Sequence, residues 1–264
     1  MILVVFLSSC KKESGNQQSV NQPPTSYIKS ISVFDTLGSL LLINTHYYDS
    51  LHRLIKISGI QYQNPHDSIL VTCIFDYSSL KVIFRKTLSS SSQYCDKITY
   101  NLNSSGLVES SVHIINATPT DSSILSNDTY QFNSDRYLMT QTTTTPGGTP
   151  GSITYYYSSM NADYSIFSPS SSDSKQLFYY DTGHYNTVNF ENAGIQFLGK
   201  SCYNPLIRAR SEALNMNIAT YSYEFDQTNR IKKIVLNGNS VMPGLYFVTV
   251  PILATHEVLV YNYY

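Results

Sequence analysis

Apolar and polar positions alternate with period two along most of this chain, the pattern of half-buried β-strands. Residues 220–236, TYSYEFDQTNRIKKIVL, show it most plainly. Tyr221, Tyr223 and Phe225 alternate with Ser222 and Glu224, a polar turn runs from Asp226 to Asn229, and a second strand opens at Arg230. The stretch predicts one β-hairpin. Residues 28–43 predict another, with Ile31 and Val33 on one face, a turn over residues 35–38 and a return strand from Leu40.

Weaker copies of this unit recur. An aromatic or apolar residue precedes a turn-opening residue, usually Asp or Asn, at Tyr48-Asp49, Phe75-Asp76, Leu102-Asn103, Phe132-Asn133, Tyr157-Ser158, Tyr180-Asp181 and Phe225-Asp226. Asp and Asn suit that slot because their side chains bond nearby backbone groups and tolerate left-handed geometry. Three residues before each opening stand His46, Cys73, Tyr100, Tyr130, Tyr155, Phe178 and Tyr223. Five before stand Val71, Ile98, Ile153 and Tyr221. These columns share one strand face, so they predict an apolar, tyrosine-rich surface. The first openings are evenly spaced (76 − 49 = 103 − 76 = 27), which fits a hairpin plus its connection in a repeat array; generic alternation in any antiparallel sheet is the competing explanation.

The expected architecture is all-β. Residues 27–264 read as a single domain, one large twisted antiparallel sheet of consecutive hairpins, curled or half-closed into a barrel to protect its edges. Residues 258–264 supply its last strand. Residues 89–92, 118–128, 142–152 and 168–174 read as polar loops between units. The glycines of TTTTPGGTPGS are not followed by Lys-Ser/Thr, so this loop is not a phosphate cradle. Residues 191–217 break the pattern: after the Asn204-Pro205 turn signal come Leu206, Ile207, Ala209, Ala213 and Leu214. That stretch is the one helical candidate, a short helix or an irregular segment on the sheet.

Composition narrows the setting. Charged residues are 13% of the chain, against roughly 25% in an average soluble domain. Tyr is used 23 times and Trp never. Tyrosine fits a pleated, half-buried surface because its ring packs while its hydroxyl stays solvated or bonded. The net charge of −1 argues against nucleic acid as a partner. Beyond the N-terminus, no segment reaches the roughly 18 to 20 apolar residues of a membrane-spanning helix.

The first residues, MILVVFLSSCKKE, place an apolar run and small residues before Cys10. Leu7-Ser8-Ser9-Cys10 resembles a bacterial lipobox. The resemblance implies cleavage of residues 1–9 as a signal peptide and acylation of Cys10, palmitate included. It implies anchorage on the outer membrane, on its periplasmic or its cell-surface face. The run is short and lacks a basic n-region, so a start upstream of Met1 stays open; the competing reading is an N-terminal strand ending in an ordinary cysteine. Residues 11–26, KKESGNQQSVNQPPTS, are polar and aperiodic, as a flexible tether would be. Of the other cysteines, Cys73 and Cys95 lie in neighbouring candidate strands and are the preferred disulfide pair, leaving Cys202 over.

Together the lipobox, the Tyr/Phe-Asp-x-x-x-Arg-Leu/Ile-x-x-Ile units at residues 48–57 and 225–234, the Lys200–Leu206 element and the closing Tyr261-x-Tyr263 resemble a family. It is a set of bacterial outer-membrane lipoproteins of uncharacterised role that carry YD-repeat-like β-hairpins. The resemblance covers the chain after the signal peptide and implies location and an all-β repeat fold. It carries no catalytic residues.

Little in the sequence points to chemistry. The acids sit mainly in turn slots; Glu224, on a strand among tyrosines, is the one outside that pattern and fits a solvent-facing position. His46 and His52 could meet across a turn, but a metal site needs a third ligand that no spacing supplies. No cofactor is expected. Clustered tyrosines can stack on sugars or planar ligands, which makes Tyr155, Tyr157, Tyr179, Tyr221 and Tyr223 the candidate ligand-binding residues. The competing account is that these rings simply cover a thinly buried sheet. The sequence therefore predicts a lipid-anchored envelope protein with a non-enzymatic binding role, its ligand a glycan, a lipid or a protein. A hydrolase whose carboxylates are brought together by the fold is the alternative.

Overall fold

The computed structural model of the protein describes residues 26–64, 67–89, 94–115, 123–168, 174–238 and 256–264. The first eight strands are β1 (Ile28–Phe34), β2 (Leu40–Tyr48), β3 (Leu54–Asn64), β4 (Asp67–Ser78), β5 (Lys81–Leu88), β6 (Tyr94–Leu102), β7 (Val108–Ile115) and β8 (Ser123–Phe132). The second eight are β9 (Leu138–Thr144), β10 (Gly151–Tyr157), β11 (Ala162–Ser168), β12 (Ser174–Tyr180), β13 (Leu206–Ser211), β14 (Met216–Phe225), β15 (Ile231–Gly238) and β16 (His256–Tyr263). Each pairs antiparallel with its sequence neighbours, and β16 returns to pair with β1, Tyr261 opposite Ile31. The sheet is a closed barrel of sixteen strands, not the open or half-closed sheet expected. Closure leaves no edge strand to protect.

Alternation along each strand divides the residues cleanly. Ile31, Leu42, Ile57, Val71, Phe75, Val82, Tyr100, Tyr221, Ile234, Leu259 and Tyr261 point inward and are buried. Lys56, Asp76, Arg85, Lys97, Arg208, Glu224 and Lys233 alternate with them on the outside.

Five hairpins share one turn. At Asp35, Asp49, Asn103, Asn133 and Asp226 the side-chain Oδ1 accepts the backbone N–H groups two and four residues on, all at 2.8 to 3.1 Å. The residue three on adopts positive φ: Gly38, His52, Gly106, Arg136 and Asn229. This is a hairpin loop with a left-handed bulge residue, and the carboxylate or amide fastens it from inside. Asp76 departs from the expectation. It lies within β4, faces outward and pairs with Arg85, while the hairpin turns at the two-residue link after Ser78. The even spacing through Asp76 therefore does not mark equivalent turns.

All but one of these turns lie at the same end of the barrel, together with Ile28 and Tyr263. There a second regularity explains the tyrosines. Tyr48, Tyr77, Tyr157, Tyr223 and Tyr263 donate their hydroxyls to the carbonyls of Ile28, Leu54, Leu138, Leu206 and Ile231, at 2.5 to 3.0 Å. Each ring reaches from an even-numbered strand to the first residue of the odd-numbered strand before it. Arg53 and Arg230, held by Asp49 and Asp226, lie over Tyr77 and Tyr263 at 4.5 and 4.8 Å.

The same end is shut by the long connection between β12 and β13. Thr187, Asn189, Asn192, Ala193, Ile195, Phe197 and Leu198 are buried. The connection bonds to β1 (Ile28 N–H to Asn192 O, 3.2 Å), β3 (Leu54 N–H to Gly194 O, 3.0 Å) and β15 (Ile231 N–H to Thr187 Oγ1, 2.8 Å). At Lys200 it reaches Arg136 O, just before β9, half the circumference from β1. We call it the plug.

Several expectations are corrected here. The stretch 206–214 is not helical: Leu206, Ala209 and Ser211 alternate inward on β13, and among the described residues the helical structure is a single 3-10 turn at Gln196–Leu198 within the plug. The supposed loop at 118–128 overruns β8, and that at 142–152 overruns the ends of β9 and β10. Cys73 is a free, buried thiol pushed up to about 12 by burial. Strand β5 lies between it and the strand carrying Cys95, a separation of about 10 Å that a disulfide cannot bridge. Cys10 and the tether up to residue 25 lie outside the described residues.

Candidate functional site: the polar half of the lumen

Inward positions are not apolar all the way round. On β1 to β4 and β13 to β16 they are mostly apolar and, with the plug and Val82, Tyr100 and Val108 of β5 to β7, form the core. On β6 to β9 the same parity also brings polar groups inside, in a row that begins at Tyr100 against plug residue Phe197 and runs away from it. Pairing sets Tyr100 against Ser111, Ser111 against Asp128, and Asp128 against Thr143, one polar row across β6 to β9.

Asp128 is its centre. It is only 8% exposed, and its carboxylate accepts from Ser126 Oγ at 3.1 Å, Ser111 Oγ at 3.4 Å, Gln141 Nε2 at 3.4 Å and Thr143 Oγ1 at 2.5 Å. The Tyr130 hydroxyl meets Ser111 Oγ at 3.0 Å. Burial pushes the Tyr130 phenol up to about 12, with Ser111 opposing and Asp128 adding, so it stays neutral. Four neutral donors replace the water that a buried carboxylate would otherwise lose.

Nearer the rim lies a charged group. Asp96 on β6 meets His113 Nε2 at 3.3 Å and Lys86 Nζ at 3.6 Å. The His113 hydrogen bond holds the Asp96 carboxyl below its ordinary value; burial opposes this and Lys86 assists. These inward groups set hydroxyls, an amide, carboxylates and a cation on one side of the barrel interior. They suit a polar, multiply hydrogen-bonding small molecule better than an apolar one.

The residues singled out from sequence fall elsewhere. Tyr155 and Tyr157 on β10 and Tyr221 and Tyr223 on β14 face inward, while Tyr179 on β12 faces outward beneath Arg208. Tyr157 and Tyr223 spend their hydroxyls on backbone carbonyls, and Tyr221 is buried in the core. The five do not make one platform. Glu224 faces out and binds Lys233 at 2.6 Å. His46 is wholly buried, whereas His52 occupies a turn and stacks on Tyr27 at 4.5 Å.

Asp128 escaped sequence reasoning although a signal was present. It stands five residues before Asn133, in the inward column, where Asn44 and Gln176 are also polar. A polar residue at inward parity marks a hydrogen-bonded group inside the sheet.

Solved structures share this architecture. A porin-like protein from Bacteroides uniformis ATCC 8492 superposes with a TM-score of 0.64 at 16% identity, covering 91% of this chain and 99% of the other. A porin-like protein from Bacteroides vulgatus ATCC 8482 gives 0.53 at 10% identity, covering 90% and 99%. At these identities the likeness is one of fold. No protein-family model matches the chain, and neither does any curated protein.

Proposed function

We propose that the protein is a lipid-anchored, non-enzymatic binding protein of the bacterial outer membrane whose barrel is a ligand cup and not a conducting pore. The observation that carries this reading is the plug, which crosses the barrel from β1 to the start of β9 while the other end keeps a polar lining. A lumen blocked at one end holds a solute and does not pass it. The Asp128 row supplies the recognition surface. Asp96 and Asp128 are already engaged by neighbouring groups, which favours binding over a hydrolase built on that pair. The lipobox-like Cys10 supplies the anchor.

Native mass spectrometry of the protein purified from envelopes tests the cup. A small polar adduct is expected, absent or much depleted in Asp128→Asn; stepwise conductance in planar bilayers would sink the reading. Membrane fractionation of Cys10→Ala tests the anchor, with release into the soluble fraction expected and unchanged retention counting against it.

A further inference from the structure

The outside of β11 to β14 carries a groove that the lumen reading leaves unused. Its volume is about 760 Å³, within the range of small-molecule sites, and Asp163, Tyr179, Arg208, Asn217 and Thr220 are among its lining. Tyr179 and Arg208 are cross-strand partners, and the Arg208 guanidinium lies 4.0 Å over the Tyr179 ring.

Arg208 differs from the chain's other outward arginines. Arg53, Arg85 and Arg230 each meet an aspartate, and Arg210 bonds Asn215. Arg208 has no carboxylate partner among the described residues, and its buried Nε donates to nothing there. Stacking on Tyr179 fixes the plane of the guanidinium and leaves its edge for a ligand. A planar fork so held matches a carboxylate in two-point contact.

We infer that this groove binds a carboxylate-bearing sugar. The Arg208 edge takes the carboxylate. Thr220, paired with Arg208 in register, and Asn217 offer partners for ring hydroxyls. Asp163, which accepts the Ser158 hydroxyl at 2.9 Å, adds an acceptor for a sugar hydroxyl and weighs against a doubly charged anion such as phosphate. Beside the groove, Tyr156 and Tyr164 stack at 4.4 Å, and Tyr156 is 38% exposed, an aromatic shelf for a second sugar ring. This site is separate from the lumen, so either reading can fail alone.

Titration calorimetry of the full chain with digalacturonate, its neutral counterpart galactobiose and inorganic phosphate tests the assignment. Digalacturonate is expected to bind and galactobiose to bind at least about tenfold more weakly, since the guanidinium–carboxylate pair is the main charged contact. Arg208→Gln and Arg208→Lys should each weaken binding by about tenfold or more, because lysine lacks the planar fork. Thermal melts of both variants check that they fold, and Thr220→Val serves as a second probe if either does not. No binding of digalacturonate, equal binding of galactobiose or phosphate, or affinity untouched by the Arg208 changes would each overturn the proposal. Loss on Asp128→Asn alone would move the ligand to the lumen and overturn it as well.

Discussion

One side-chain oxygen fastens each of the shared turns, and Asp226 is the clearest case. Burial raises its carboxyl, but the Arg230 and Thr228 backbone N–H groups, the Thr228 hydroxyl and the Arg230 side chain outweigh that and hold it at about 2. A carboxyl depressed in the folded state stabilises above its unfolded value near 3.8 and loses that contribution as pH falls toward about 2. Asp226→Ala removes the acceptor and should cost about 2 kcal/mol in urea titrations at neutral pH. Asp226→Asn keeps Oδ1 for the two backbone N–H groups, as Asn103 and Asn133 do, so it should cost less and lose this acid-sensitive component. Equal losses in the two variants would show that the shared acceptor is not what matters. His46 works in the opposite chemical sense with the same outcome on acidification. Its complete burial lowers the imidazole from 6.5 to about 4, with a Lys29 main-chain group partly offsetting this. The neutral ring is favoured in the folded state, so stability falls as pH drops from 6.5 toward 4, by about 3 kcal/mol when complete. In His46→Leu the slope of stability against pH over that window should flatten; an unchanged slope would contradict the assignment.

At the scale of elements, the plug has one position with little room for a side chain. Gly194 has φ +72°, and a Cβ there would stand 2.7 Å from Leu54 N and 2.8 Å from His52 O, both main-chain atoms. Gly194→Ala therefore combines left-handed strain with a clash that rigid backbone cannot relieve, and should destabilise by about 2 kcal/mol or more. A thermal melt measures the loss, and limited proteolysis within residues 187–198 should quicken. A wild-type melt and cleavage pattern would refute the packing. The hairpins themselves were legible because alternation and Asx turns are local. The plug was not: its residues satisfy one another, Asn192 Nδ2 with Thr187 O and Asn192 N–H with Asn189 Oδ1, and follow no period. Residues 206–211 were ambiguous because Leu206, Ile207 and Ala209 fit either a helix face or a strand with a bulge, and pairing with β12 and β14 decided for the strand.

For the molecule as a whole, closure was the hidden feature, since it rests on pairs such as Ile28 with Tyr263 that no local pattern links. Once closed, the barrel presents an inverted polarity. Membrane-spanning barrels put an apolar band outside and polar groups inside. Here the outside of β9 is Thr140, Thr142 and Thr144, and elsewhere it carries Lys56, Lys97, Arg208, the Asp76–Arg85 pair and the Glu224–Lys233 pair. Exposed apolar side chains such as Tyr47, Ile60, Leu70 and Ile74 cluster on β2 to β4 and are broken by Lys56 and Thr72. Each outward Lys or Arg near the bilayer midplane would cost roughly 2 to 4 kcal/mol, and the named ones lie on β3, β5, β6, β13 and β15. The likeness to porin-like proteins thus extends to strand architecture, while the outward Lys, Arg and acidic side chains depart from the apolar band of a spanning barrel. Full-length Cys10→Ala should accordingly purify without detergent and leave liposome permeability to small solutes unchanged. If it required detergent, or opened liposomes to them, the outward charges would have to be buried in some assembly, and the cup would have to be reconsidered as a pore.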